Sequence, residues 1–142
     1  MNAYQIVVGI DGSEGSYVAL NWALHEAELR GGKVRLVHGW AFVSSTMDPT
    51  GTALAECERA GEEVLKEAAA RAVQAAPKVP VSTELRATSP AEALIESAQT
   101  ANLVVVGTRG RGGFAGLLLG SVSQQVVHHA KCPVAVIPLE KR

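Results

Sequence analysis

The 142-residue sequence predicts an α/β domain, doubly wound, with a parallel sheet and helices on both faces. Three observations point there. Short aliphatic runs alternate with longer helical patterns in the order β-α-β-α-β-α-β-α-β. The runs at 6–10 and 103–106 are continuously apolar, as expected of strands buried on both faces. Glycine, serine and proline fall at the joints between these runs, where caps and turns require them.

The first strand is expected at Tyr4–Ile10, bounded by Asp11-Gly12-Ser13. Ser13 suits a helix N-cap, and Val18, Leu20, Trp22, Ala23, Ala27 and Leu29 carry helical spacing until Gly31-Gly32. Lys33–Trp40 reads as a second strand and Ala41–Gly51 as a polar loop. In the long helical stretch Thr52–Ala76, apolar Leu54, Val64, Leu65, Ala68, Ala72 and Val73 are interleaved with Glu58, Arg59, Glu62, Glu63, Lys66, Glu67 and Arg71. Such charges make a solvated face with local ion pairs rather than a binding patch. Pro77 and Pro80 end that helix and Val81–Arg86 forms a third strand. Ser89 caps a third helix running from Pro90 to about Thr100, with proline where its missing N–H does no harm. Leu103–Val106 is a fourth strand, Ser121–Ala130 a short helix, and Pro133–Pro138 a fifth strand. No linker or repeat divides the chain, so residues 1–142 are expected to form one domain.

Composition narrows the function classes. The net charge of −1, without a basic cluster, gives no electrostatic support for nucleic-acid or membrane-surface binding. No apolar run is long enough to span a bilayer, and the beginning of the sequence lacks a leader pattern, so a cytoplasmic location is expected. Cys57 and Cys132 are too few for a disulfide framework and are expected to be inert thiols. His128 and His129 are adjacent on a helix, so their side chains diverge by about 100° and do not share a metal. His25 and His38 read as structural, and Trp22 and Trp40 as packing residues rather than stacking platforms.

The chemistry concentrates in one place. Six of the fourteen residues from Gly107 to Gly120 are glycine, with a strand before them and a helix after. In open α/β sheets, ligands bind beyond the carboxyl ends of the strands. Glycines there allow close approach of backbone to ligand, so that N–H groups and the following helix start can surround phosphate oxygens. Ser121 and Ser123 place hydroxyls at that helix start. This is not a P-loop, because the segment holds no lysine. Gly110-Arg111-Gly112-Gly113-Phe114-Ala115 fits a loose dinucleotide pattern, but after the fourth strand rather than the first.

Gly107, Gly110, Gly120 and Ser121 instead form G-x2-G-x9-G-[ST]. With Val8-Gly9-Ile10-Asp11-Gly12-Ser13, His38, and Lys131-Cys132-Pro133-Val134-Ala135-Val136-Ile137-Pro138, the chain resembles the ATP-binding branch of the universal stress protein family over nearly its whole length. The resemblance implies a sheet of order 3-2-1-4-5 and ATP as ligand. It implies that Asp11 lies beside the ribose and phosphates or reaches a divalent ion such as Mg2+, with Gly9 and Ile10 alongside. It places Gly39 near adenine, offering main-chain atoms only, and Gly107 and Gly110 under the ribose and phosphates. Gly120, Ser121, Val122 and Ser123 would hold the phosphates, while Thr108, Arg109, Arg111, Gly112 and Gly113 fill the variable stretch, where either arginine would pair with phosphate charge.

No G-x-S-x-G motif, paired loop carboxylates or nucleotidyl-transfer motif accompanies this site. The expected function is a nucleotide-dependent regulatory or stress-response module acting on a protein partner that the sequence does not identify. A slow ATPase or an adenylyl-handling hydrolase or transferase is the alternative. The fifth strand is wholly apolar at Val134–Ile137 and falls at a sheet edge in that order, so a homodimer through Pro133–Pro138, independent of nucleotide, is expected.

Overall fold

The aliphatic runs pair into one five-stranded parallel sheet, in the order β3-β2-β1-β4-β5. The computed structural model describes residues 3–40, 49–108 and 119–139. Its strands are β1 (Gln5–Gly9), β2 (Lys33–Gly39), β3 (Val81–Arg86), β4 (Leu103–Gly107) and β5 (Val134–Ile137). The helices are α1 (Glu14–Arg30), α2 (Thr52–Ala75), α3 (Pro90–Ser97) and α4 (Ser121–His129).

Burial on both faces explains the unbroken apolar runs of the central strands. Ile6 and Val8 of β1 turn toward the layer of α1 and α2, where they meet Leu20, Leu24, Leu65 and Ala68. Val7 turns the other way, to Val104, Val106, Leu94 and Val126 beneath α3 and α4. Ile6, Val7 and Val8 are all fully buried. Both outer strands have half-buried positions instead.

Local signals set the helix ends. Ser13 accepts a hydrogen bond from the Ser16 N–H at 3.2 Å, and Gly31 closes α1 in the left-handed conformation, φ 63°. Ser89 accepts from the Glu92 N–H at 3.2 Å, with Pro90 in the first turn of α3. That helix is shorter than expected. It ends at Ser97 and tightens into a 3₁₀ turn at Ala98–Thr100, which brings the chain round into β4 within a few residues.

The charged face of α2 is exposed, with Arg71 paired to Glu67 at 3.1 Å and stacked over the Tyr17 ring of α1 at 3.8 Å. Trp22 departs from expectation: it lies on the side of α1 away from the core and is 37% exposed, as Leu29 is at 69%. Trp40 is half-buried, in line with a packing role. Cys57 and Cys132 are free and half-buried, and burial pushes the Cys132 thiol above its ordinary pKa, which disfavours the reactive thiolate. Among the described residues no helix is long and apolar enough to cross a membrane.

Candidate functional site

Because every strand runs the same way, every strand-to-helix connection leaves from the same end of the sheet. Three strands, β1, β2 and β4, finish there in glycine: Gly9, Gly39 and Gly107. All three line a cleft of about 270 Å³ at that end, close to the lower bound of small-molecule sites.

The first wall comes from β1, β2 and the starts of α1 and α3. Gly9, Ile10 and Asp11 lie along it, with Ser13, Ser16, Val37, His38, Gly39, Pro90 and Leu94. The missing side chains here are spaces that neighbours fill. A Cβ on Gly9 would stand 2.8 Å from Cδ1 of Leu94. On Gly39 it would stand 2.8 Å from the Ser89 carbonyl oxygen, 2.9 Å from that of Thr88 and 3.0 Å from the Ala93 Cβ. Glycine at 39 therefore lets the start of α3 close onto the end of β2. The Ile10 backbone is tied twice: its N–H donates to the Val37 carbonyl at 2.9 Å, and its carbonyl lies 2.7 Å from Nδ1 of His38. Since a carbonyl only accepts, that ring nitrogen carries a proton. Gly12 takes φ 82°, which glycine adopts freely, and the Asp11 carboxylate accepts the Ser13 N–H at 2.9 Å across the turn.

The second wall comes from Val106 and Gly107 of β4 and from Gly120, Ser121, Val122 and Ser123 at the start of α4. The first backbone bond within α4 runs from the Gln124 N–H to the Gly120 carbonyl at 3.0 Å. The N–H groups of residues 121–123 precede it, so they are the donors a helix start presents to an anion. Thr108 is not part of the lining. Its carbonyl accepts from the Gly120 N–H and, at 3.0 Å, from the Ser123 hydroxyl.

Of the site residues expected from sequence, Gly9, Ile10, Asp11, Gly39, Gly107, Gly120, Ser121, Val122 and Ser123 thus come together, and Thr108 stands just behind them. Arg109, Gly110, Arg111, Gly112 and Gly113 lie outside the described residues. No described lining residue is lysine or arginine, so on the described walls the groups that favour an anion are the backbone N–H groups of the α4 start. Chemically the cleft pairs an apolar part (Val37, Pro90, Leu94, Val106, Val122) with a polar one (Asp11 and four serines), a division suited to a planar ring joined to an anionic group. Among the described residues no group of three or more histidine, cysteine or acidic side chains is placed to hold a metal ion.

The family model for universal stress proteins matches residues 4–138. The chain belongs to the universal stress protein family. One family relative, a universal stress protein of Mycolicibacterium smegmatis, is 42% identical over 132 residues, which cover 93% of this chain and 45% of that protein. The chain spans less than half the length of the curated relatives it matches. Among solved structures, a universal stress protein in complex with cAMP has a TM-score of 0.70 and 29% identity over 96% of this chain and 98% of that one. A universal stress protein from Archaeoglobus fulgidus in complex with dAMP has a TM-score of 0.69 and 25% identity over 96% and 99%.

Sequence reasoning missed much of the first wall: Ser13, Ser16, Val37, His38, Pro90 and Leu94 were not among the expected site residues. For Ser13 and Pro90 a signal existed. Parallel strands bring every helix start to one end of the sheet, so the cap of α1 and the first turn of α3 belonged beside the glycine-rich segment. No local pattern marks Leu94, whose place depends on Gly9 being bare.

Proposed function

We propose that the chain acts as a nucleotide-binding unit, with an adenine nucleotide, ATP first, held across the carboxyl ends of β1, β2 and β4. The observation that carries this is the meeting of three strand-terminal glycines with the first-turn N–H end of α4 in one cleft. Family relatives in complex with cAMP and dAMP support the adenine part of the reading. In it, the apolar side of the cleft takes the base, Gly107 passes under the ribose, and the N–H groups of residues 121–123 close on phosphate. Asp11, an oxygen ligand at the cleft, would meet the Mg2+ that a triphosphate brings. Arg109, Gly110, Arg111, Gly112 and Gly113 would complete the phosphate contacts. Occupancy by ATP would make the protein a cytoplasmic regulatory module of the stress response. Purified protein should release a nucleotide on denaturation, identified by mass. Protein that releases none and shows no heat of ATP binding would sink the reading.

A second proposal concerns assembly. Val134, Ala135, Val136 and Ile137 stay only half-buried at the sheet edge, two from each face, as expected of a strand awaiting a partner. Pairing β5 with that of a second copy would give a homodimer, independent of nucleotide. Val136→Lys should shift sedimentation toward monomer. A wild-type monomer at micromolar concentration argues against it.

A further inference from the structure

Ser123 is 2% exposed, and its hydroxyl oxygen lies 3.0 Å from the Thr108 carbonyl oxygen and 3.1 Å from that of Gly120. A serine hydroxyl has one proton, and both neighbours only accept, so its donor capacity is already taken up inside the protein. An anionic phosphate also only accepts, and gains nothing from the oxygen's lone pairs. The same Thr108 carbonyl accepts the Gly120 N–H, and the Thr108 N–H donates to Ile137 of β5 at 3.1 Å. One peptide unit pair thereby ties the edge strand, the end of β4 and the start of α4 together. We propose that Ser123 is a positioning residue: its hydroxyl clasps the start of α4 to Thr108 and aims the helix's free N–H groups into the cleft, rather than binding phosphate itself. The clasp is a property of the ligand-free protein. Its consequence for ligand rests on the nucleotide reading above.

The clasp predicts a local effect that a general helix-stabilising role does not. Hydrogen exchange of the ligand-free protein, followed by NMR, should show the Gly120 amide about tenfold faster in Ser123→Ala, with the Ala130 amide at the far end of α4 unchanged. Ser123→Cys keeps the volume without a strong donor and should behave like alanine. Ser123→Thr keeps the hydroxyl and should restore slow exchange. Unchanged Gly120 exchange in Ser123→Ala overturns the clasp, as does equal acceleration along all of α4. Calorimetry separates the two proposals. If Gly120 responds but wild-type protein binds no nucleotide, the clasp stands and the nucleotide reading falls. If nucleotide binds, Ser123→Ala weakens it and Gly120 exchange is indifferent, the hydroxyl is a phosphate ligand and the clasp is wrong.

Discussion

On one side of the cleft, side chains and backbone fill the places where glycine has no side chain: Leu94 against Gly9, and the Thr88–Ser89 backbone against Gly39. On the other side three hydrogen bonds meet around Thr108. The first wall is further braced from behind. Arg86 of β3 bonds to Glu84 at 2.6 Å and to Glu96 of α3, and the Ser97 hydroxyl bonds to Glu84 at 2.9 Å. These contacts pin the end of α3 to the edge of the sheet while Gly39 seats its beginning. Steric fit is costly to disturb but carries no ligand-facing polarity. Hydrogen-bonded backbone is cheaper to disturb and leaves N–H groups pointing at the cleft. The difference separates a wall that sets shape from one that binds charge, and substitutions should separate them too.

The largest effect should come from Gly39→Val. Its Cβ would press on two backbone carbonyl oxygens, which cannot rotate away as a side chain would. Overpacking of this kind costs about 1–3 kcal/mol, so the urea midpoint should fall with the slope unchanged. Gly9→Ala meets only the flexible end of Leu94 and should cost less than about 1 kcal/mol. Equal losses for the two would mean that the first wall is not held by interlock.

Gly120→Val tests the second wall. Gly120 has φ −77°, which valine adopts without strain, so the fold should persist. A branched side chain beside the free N–H groups should lower ATP affinity at least tenfold, or about 1.4 kcal/mol. Equal affinity in a well-folded variant, by calorimetry, removes the phosphate site from this wall.

Asp11→Asn probes the point where the shape-setting wall carries charge. Asparagine keeps the oxygen that accepts the Ser13 N–H, so the turn should survive while the charge is lost. Affinity measured with Mg2+ should drop about fivefold, the scale of one lost polar contact, and the Mg2+-free value should change less. Equal drops would place Asp11 on the sugar or base. No change would leave it a turn residue.

How much of each wall was legible follows from how it is built. The second wall comes from one connection of the chain, Val106 and Gly107 before it and residues 120–123 after it, so a spacing motif reveals it. The resemblance implied that the strand ends Gly9 and Gly39 lie beside the ligand, and both line the cleft, but the reason for Gly39 was not legible, because the Thr88–Ser89 backbone that excludes a Cβ arrives from a different part of the chain. The sheet order was implied by resemblance and matches the observed pairing, while alternation alone left it open. The Arg35, Glu84, Arg86 and Glu96 charges gave no signal. Their pairing depends on the β2–β3 register, Val37 opposite Glu84 and Gly39 opposite Arg86, which brings β3 beside α3.

That brace provides the smallest test. Burial alone would raise the Glu84 pKa, but hydrogen bonds from Arg86 and Ser97, with the charges of Arg86 and Arg35, outweigh it and hold the carboxyl below its ordinary value. A carboxyl whose folded pKa is depressed stabilises the fold in its ionised form. The contribution is present above the unfolded pKa, about 4.3, and is lost as pH falls through the folded value. Glu84 and its charged partners are partly exposed, with the Glu84 side chain at 26%, Arg86 at 36% and Arg35 at 24%, so solvent screening keeps the total to about 1 kcal/mol or less. Glu84→Gln should therefore lower the denaturation midpoint slightly at neutral pH, and the gap from wild type should close as pH falls below about 4. If the gap is instead constant down to acid pH, the ionised carboxylate contributes nothing and shape alone holds α3. Should Glu84→Gln also weaken nucleotide binding as much as Gly120→Val does, the two walls are not separable and the distinction drawn between them fails.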